Sequence, residues 1–137
     1  MRAAQIDRYS KDIDIKIRDI PIPEISDDEV LVNVKAAAVN PLEILILTGS
    51  VRLIQDYKMP LTLGNEFSGV VEKIGKNVHD FNVGDRVYTR MPIQKIGAFA
   101  DYAVVDSKFL SYMPNNCNFI EAAAIPLTAL TAYQALK

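Results

Sequence analysis

Short β-rich runs separated by turn residues extend from Met1 to about Ser111 and limit the chain to a strand-dominated architecture. No helical period persists for long in this region. The clearest run spans residues 30–36, where apolar residues alternate with their neighbours. Every second side chain of a strand points to the same face. We therefore expect one such face to lie in the core, with Val30, Val32, Val34 and Ala36.

Further strands are predicted at Phe67–Ile74, Arg86–Thr89 and Phe99–Val105, with glycine-containing turns between them. Short strands crowded in this way predict a mainly β protein that forms a barrel. At 137 residues with 50% apolar content, the chain has enough material for one core without disulfides or a metal.

One apolar segment interrupts the strand pattern. Residues 41–47 are mostly apolar and begin with Pro41, a residue suited to a first helical turn, and Gly49 can end a helix after them. The segment predicts a short helix, and we expect a functional site there.

The last quarter of the chain predicts two helices. Asn118 and Glu121 have the spacing of a capping box, and Pro126 divides the apolar stretch Phe119–Leu136. An apolar helix normally lies between two layers of protein, so we expect a further domain downstream to cover it. A membrane span is the rival interpretation, but the alanines, polar residues and central proline make it too polar and too broken.

Composition excludes several classes of partner. Fifteen basic and 17 acidic residues give a net charge of -2, so a nucleic-acid partner is not expected. No signal-peptide pattern opens the chain, and the single cysteine, Cys117, cannot form an internal disulfide, so we expect a cytoplasmic protein.

The only histidine, His79, lies in a polar turn and is expected to be exposed. No G-x-G-x-x-G fingerprint is present, so the dinucleotide-binding fold lies outside this sequence.

Five stretches in register resemble a known family: residues 37–43 (AAVNPLE), 63–71 (LGNEFSGVV), 81–87 (FNVGDRV), 97–102 (GAFADY) and 122–136. Their order is similar to that of the catalytic domain of the medium-chain dehydrogenase/reductase superfamily, in its quinone oxidoreductase-like branch. The resemblance implies a GroES-like, partly open β-barrel over residues 1–117. Residues 118–137 would then be a helical segment that leads into a missing Rossmann cofactor domain.

The sequence departs from the zinc alcohol dehydrogenases of the same superfamily. Asn40 stands where the zinc enzymes have a ligand cysteine, and Asn65 where they have a ligand histidine. Their cysteine-rich structural lobe is replaced by the short segment Thr89–Ile96. Because zinc needs thiolate, imidazole or carboxylate ligands at fixed places, the resemblance implies a zinc-free member with no metal.

The same resemblance implies which residues approach the nicotinamide end of an NAD(P)H cofactor that is bound mainly by the missing domain. These are Asn40, Leu42, Glu43, Leu45 and Thr131. An amide and a hydroxyl can orient the ring by hydrogen bonds, and the leucines would exclude water. Two simpler interpretations stay open: the leucines belong to the core, and Asn40 only caps the short helix.

A phenolic proton donor is not obvious. Many quinone reductase-like relatives place tyrosines where this chain has Leu45 and Val51. Tyr57 is the only nearby phenol and is the candidate substrate contact, in a loop that we expect to be mobile.

The resemblance implies NAD(P)H-dependent reduction of quinones, enones or enals, carried out by a longer parent protein that pairs through the missing domain. The isolated fragment would be inactive, and no membrane association is expected. The alternative is a free-standing GroES-like binding module or co-chaperonin-type subunit. The apolar terminal helices favour the oxidoreductase, because such a subunit has no need of them.

Overall fold

A computed structural model describes all residues from 1 to 137. It contains eight strands: β1 (Arg2–Ile6), β2 (Lys16–Asp19), β3 (Glu29–Ala37), β4 (Leu61–Thr62), β5 (Glu66–Ile74), β6 (Arg86–Arg90), β7 (Tyr102–Asp106) and β8 (Ser111–Tyr112). The helices are α1 (Pro41–Leu47), α2 (Phe119–Ala123) and α3 (Pro126–Ala135), with one turn of 3-10 helix at Ser107–Phe109.

The strands form two antiparallel sheets. The smaller has the order β2-β1-β4, and the larger has the order β7-β3-β5-β6-β8. The segment between Gly97 and β7 joins them: Ala4 N–H donates to the Phe99 carbonyl at 2.8 Å, and Asp101 N–H donates to the Arg2 carbonyl at 3.0 Å. The two sheets therefore curve into a partly open barrel, as the sequence predicted.

The predicted strands at residues 30–36, 67–74 and 86–89 are confirmed, each to within one residue at either end. The predicted strand Phe99–Val105 is wrong in its first part, because β7 begins only at Tyr102. Residues 99–101 bond mainly to the smaller sheet and the segment after it, and only the Asp101 carbonyl accepts from β3, from Val34 N–H at 3.0 Å. The alternation in β3 is also incomplete: Val30 and Val32 are buried, whereas Val34 and Ala36 are only half-buried.

Two apolar clusters fill the interior. The larger has 12 buried residues, with Phe67 and Val87 fully enclosed, and it lies on the inner face of the five-stranded sheet. The smaller has six buried residues and includes Ile46 and Leu47 of α1. Phe99 packs against both clusters, so the junction segment ties the barrel to the short helix.

The terminal helices form as predicted. Asn118 Oδ1 accepts from Glu121 N–H, and the Glu121 carboxylate accepts from Asn118 N–H, both at 2.9 Å. Pro126 begins α3 after a break, and it is the only buried residue of that helix. Leu130, Tyr133 and other apolar side chains of α3 lie exposed. No helix of the chain is long and apolar enough to traverse a lipid bilayer.

Candidate functional site

Four polar side chains are buried together where α1 begins and β5 begins: Asn40, Glu43, Asn65 and Glu66, with exposed fractions of 8%, 2%, 0% and 0%. We call them the buried polar cluster. Asn40 is the N-cap residue of α1, and Pro41 opens the helix with its missing N–H at a position that needs none. Glu43 lies in the first turn, where a carboxylate is favoured by the helix dipole.

Glu43 joins the two asparagines. Its Oε2 accepts from the backbone N–H of Asn40 at 2.6 Å. Its Oε1 accepts from Nδ2 of Asn65 at 2.7 Å and from the backbone N–H of Asn65 at 3.2 Å. All three donors are N–H groups, so both oxygens of the Glu43 side chain act as acceptors.

Glu66 joins Asn40 to the last helix. Its Oε1 accepts from Nδ2 of Asn40 at 2.7 Å, and its Oε2 accepts from the backbone N–H of Leu127 at 2.7 Å. Pro126 has no N–H, so Leu127 supplies the first free donor of α3. One buried carboxylate therefore links the N-terminus of α1 to the N-terminus of α3.

Asn65 is held from one side only. Its Nδ2 and N–H face Glu43, but its Oδ1 is buried without a hydrogen-bond partner. Gly64 precedes it with φ +103°, and a Cβ there would lie 2.6 Å from the Phe99 backbone nitrogen. Only glycine fits this close approach to Phe99, and Gly64 thereby fixes the backbone position of Asn65, the next residue.

The other predicted cofactor residues lie on α1 and α3, the two helices whose N-termini this cluster contacts. Thr131 is exposed on α3, and its hydroxyl donates to the Leu127 carbonyl at 2.7 Å, which leaves the oxygen lone pairs free. Leu42 is half-buried and packs against the smaller apolar cluster, whereas Leu45 is 44% exposed. The core interpretation therefore holds for Leu42 and fails for Leu45.

Tyr57 differs from its prediction. It lies in a loop, but its side chain is buried in the smaller apolar cluster, and its hydroxyl donates to the Ile93 carbonyl at 2.6 Å. Burial raises the pKa of Tyr57 to about 12. With its proton committed and its acidity lowered, the phenol is poorly suited to giving a proton to a substrate.

The residues present fit the nicotinamide end of a dinucleotide. A carboxamide offers an NH₂ donor. The exposed Thr131 hydroxyl keeps free lone pairs, and Oδ1 of Asn65 has no hydrogen-bond partner, although Asn65 is fully buried. No group of three or more His, Cys, Asp and Glu side chains is arranged to hold a metal ion. His79, the only histidine, is exposed in a turn, as predicted.

Glu66 is the member of the cluster that the sequence did not single out, although it lies within the quoted 63–71 stretch. The sequence does carry a signal for Glu66: it directly precedes the apolar strand that is predicted from Phe67. The next three residues are buried in the structure, and a charged side chain at the start of a buried strand needs hydrogen-bond partners.

Comparisons with known proteins identify the family to which the barrel belongs. Residues 26–115 match the family model of the alcohol dehydrogenase GroES-like domain. The chain is 35% identical over 137 residues to the quinone oxidoreductase of Homo sapiens, covering 99% of this chain and 40% of the human protein. It is 36% identical over 123 residues to the chloroplastic NADPH-dependent alkenal/one oxidoreductase of Arabidopsis thaliana, covering 85% and 32%.

A solved structure shows the same fold. The quinone oxidoreductase from Coxiella burnetii superimposes with a TM-score of 0.90 at 29% identity, over 99% of this chain and 44% of that one. The chain thus spans about two fifths of the length of the relatives that it matches. Since the family model covers most of the barrel, the chain belongs to the alcohol dehydrogenase GroES-like domain family, among the quinone oxidoreductase-like medium-chain dehydrogenases/reductases.

Proposed function

We propose that the chain is the substrate-side domain of a zinc-independent, NAD(P)H-dependent oxidoreductase that reduces quinones or activated alkenes. The observation that carries the proposal is the buried polar cluster, in which Asn40 and a helix that bears Thr131 are held by one carboxylate. The names of the human and plant relatives, a quinone oxidoreductase and an alkenal/one oxidoreductase, support the substrate class.

Zinc independence is supported by how the asparagines are used. The Nδ2 groups of Asn40 and Asn65 are committed to Glu66 and Glu43. An amide is a weak zinc ligand in any case, and these two are oriented by carboxylates instead of by a metal.

When bound, the reduced nicotinamide supplies the hydride, and solvent supplies the proton that completes the reduction. Thr131 presents acceptor lone pairs to the carboxamide, while Asn40 orients the same end of the cofactor with its amide. Leu45, which is exposed beside the cluster on α1, would shield the hydride path from water. Glu43 acts indirectly, because all its hydrogen bonds go to protein N–H groups. Tyr57 has no part in proton transfer in this proposal.

A second domain that holds most of the cofactor would cover α3. Residues 1–117 form the barrel in this proposal, and residues 118–137 lead into the nucleotide-binding domain. The exposed apolar side chains of α3 support this arrangement, because apolar helix surface normally packs against protein. A homodimer of the complete enzyme and a cytoplasmic location are further parts of the proposal; the plant relative is chloroplastic, so relatives also occur in organelles.

The direct test is a pair of matched substitutions in the full-length protein. Thr131→Val should lower kcat/KM for NAD(P)H-dependent reduction of a quinone or an alkenal by about tenfold, through loss of one hydrogen bond. Thr128→Val is the control, since Thr128 is also exposed on α3 and donates to a carbonyl one turn back, at 2.8 Å to Ala124. Equal effects of the two substitutions would contradict the assigned role of Thr131.

The binding-module alternative makes a different prediction. A reading frame that continues after Lys137 into a strand, a glycine-rich turn and a helix would support the oxidoreductase. A stop codon at that point would support the module.

A further inference from the structure

The proposed reaction does not explain why Glu66 is buried with both of its carboxylate oxygens hydrogen-bonded to protein N–H groups. This side chain is fully buried, it forms no salt bridge, and nothing in the hydride chemistry requires a carboxylate at its position. A buried carboxylate costs free energy unless N–H donors satisfy it. Two N–H donors, from Asn40 and from Leu127, meet this requirement at Glu66.

Glu66 holds two elements that are otherwise separate. Asn40 and Leu127 are 87 positions apart in the chain, and each donates to a different oxygen of the same carboxylate at 2.7 Å. The path continues beyond Leu127, because the Leu127 carbonyl accepts from the hydroxyl of Thr131 at 2.7 Å. Asn40 and Thr131 are therefore the two ends of a path that consists of three hydrogen bonds and the backbone of Leu127, and this path runs through Glu66.

We propose that Glu66 is a positioning residue that fixes the orientation of the Asn40 amide and the position of α3, and with α3 the Thr131 hydroxyl. Its effect on catalysis rests on the proposed function, but its effect on the amide and on the helix does not. Since both oxygens of Glu66 accept, the Asn40 amide must turn its Nδ2 inward and its Oδ1 away from the carboxylate.

Glu66→Gln tests whether the carboxylate sets the orientation of the Asn40 amide, because it replaces one acceptor oxygen by a donor without changing the size of the side chain. Asn40 and Leu127 donate to different oxygens of Glu66, and a glutamine keeps an acceptor oxygen at only one of these two positions, with an NH₂ donor at the other. The backbone N–H of Leu127 cannot turn, whereas the Asn40 amide can rotate by half a turn. We therefore expect the glutamine oxygen to keep Leu127, and the Asn40 amide to reverse.

A second substitution should reverse the effect. In the double variant Asn40→Asp/Glu66→Gln, the new carboxylate at position 40 accepts from the new amide at position 66. The acceptor oxygen that points away from position 66 is restored, and the net charge is unchanged. Glu72→Gln is the matched control, because Glu72 is an exposed carboxylate on the same strand, β5.

The first measurement uses the 137-residue chain and needs no cofactor. In Glu66→Gln, NMR should show the Asn40 side-chain amide resonances displaced, while the hydrogen-exchange protection of Leu127 N–H stays within about threefold of the native value. The control should change neither. Unchanged Asn40 resonances in Glu66→Gln, or failure of both Glu66→Gln and the double variant to fold, would overturn the proposal.

The second measurement uses the full-length protein and NAD(P)H-dependent reduction of a quinone. We expect kcat to fall by about tenfold in Glu66→Gln and to be higher in the double variant than in Glu66→Gln, because the double variant restores the outward acceptor oxygen at position 40. A purely structural role would not give this recovery at equal melting temperature. If the native protein shows no reduction at all, the proposed function fails, and the resonance data alone decide whether Glu66 positions Asn40 and α3.

Discussion

Replacing Glu43 by glutamine should destabilise the chain by about 2 kcal/mol, although the two side chains have the same shape. Glu43 accepts three hydrogen bonds, from Asn40 N–H, Asn65 N–H and Asn65 Nδ2. A glutamine oxygen can keep the two donors of Asn65, but its NH₂ group then faces Asn40 N–H. One buried donor is left unsatisfied, which costs about 1–3 kcal/mol.

Glu43→Ala extends the series. It removes all three acceptor contacts and opens a cavity at a site that is 2% exposed, so the loss should exceed about 4 kcal/mol. For a chain of this length, each kcal/mol lowers the melting temperature by about 3–5 °C. The glutamine variant should therefore melt about 8 °C below the native chain.

Equilibrium unfolding in urea, followed by far-UV circular dichroism, measures both losses. Glu24→Gln is the control, because Glu24 is exposed and forms no hydrogen bond through its side chain; its effect should be within about 0.5 kcal/mol. A Glu43→Gln variant as stable as the native chain would refute the role of Glu43 as the acceptor of three hydrogen bonds.

Further predictions concern zinc content, NAD(P)H affinity and two single residues, Gly64 and Tyr57. The purified chain should retain no stoichiometric zinc after mild chelation, by elemental analysis, and retained zinc would contradict the role given to Asn40. The 137-residue chain should show no submicromolar affinity for NAD(P)H in a fluorescence titration, because the helix terminus that cradles the pyrophosphate belongs to the second domain in our proposal. Gly64→Ala should cost at least about 2 kcal/mol in urea unfolding, since φ is +103° and the new Cβ would contact Phe99. The folded pKa of Tyr57, about 12, lies above its ordinary value of 10.0, so the stability from its neutral form is present below pH 10 and is lost as the pH rises toward 12. In an alkaline absorbance titration, Tyr57→Phe should lack this late step.

Local signals predicted the helices well. The span of α1 agrees with the prediction because Pro41 suits the first helical turn, and Gly49 follows with φ +76°, a conformation that glycine adopts readily. The break at Pro126 and the capping pair before α2 are also local. Each depends on residues within a few positions of one another.

Contacts between distant segments were harder to predict. Residues 99–101 have the composition of a strand, but the pairing partner of an extended segment is set by the whole barrel. Tyr57 is polar at its tip and lies in a loop, so exposure was expected; the Ile93 carbonyl, 36 residues away, accepts its proton and allows burial. Asn40 was recognised from its neighbours, but its partner Glu66 is 26 residues away.

The buried polar cluster also explains how two carboxylates are tolerated without a cation. Together Glu43 and Glu66 accept five hydrogen bonds, all from neutral N–H groups. Two of the donors lie at helix N-termini, at Asn40 before α1 and at Leu127 in α3, where the partial positive charge of the helix favours an anion. α3 is therefore attached to the barrel at its positive end, while its other end is exposed. The carboxylate of Glu66, which accepts from Leu127 N–H and from Asn40 Nδ2, therefore couples the N-terminus of α3 directly to Asn40.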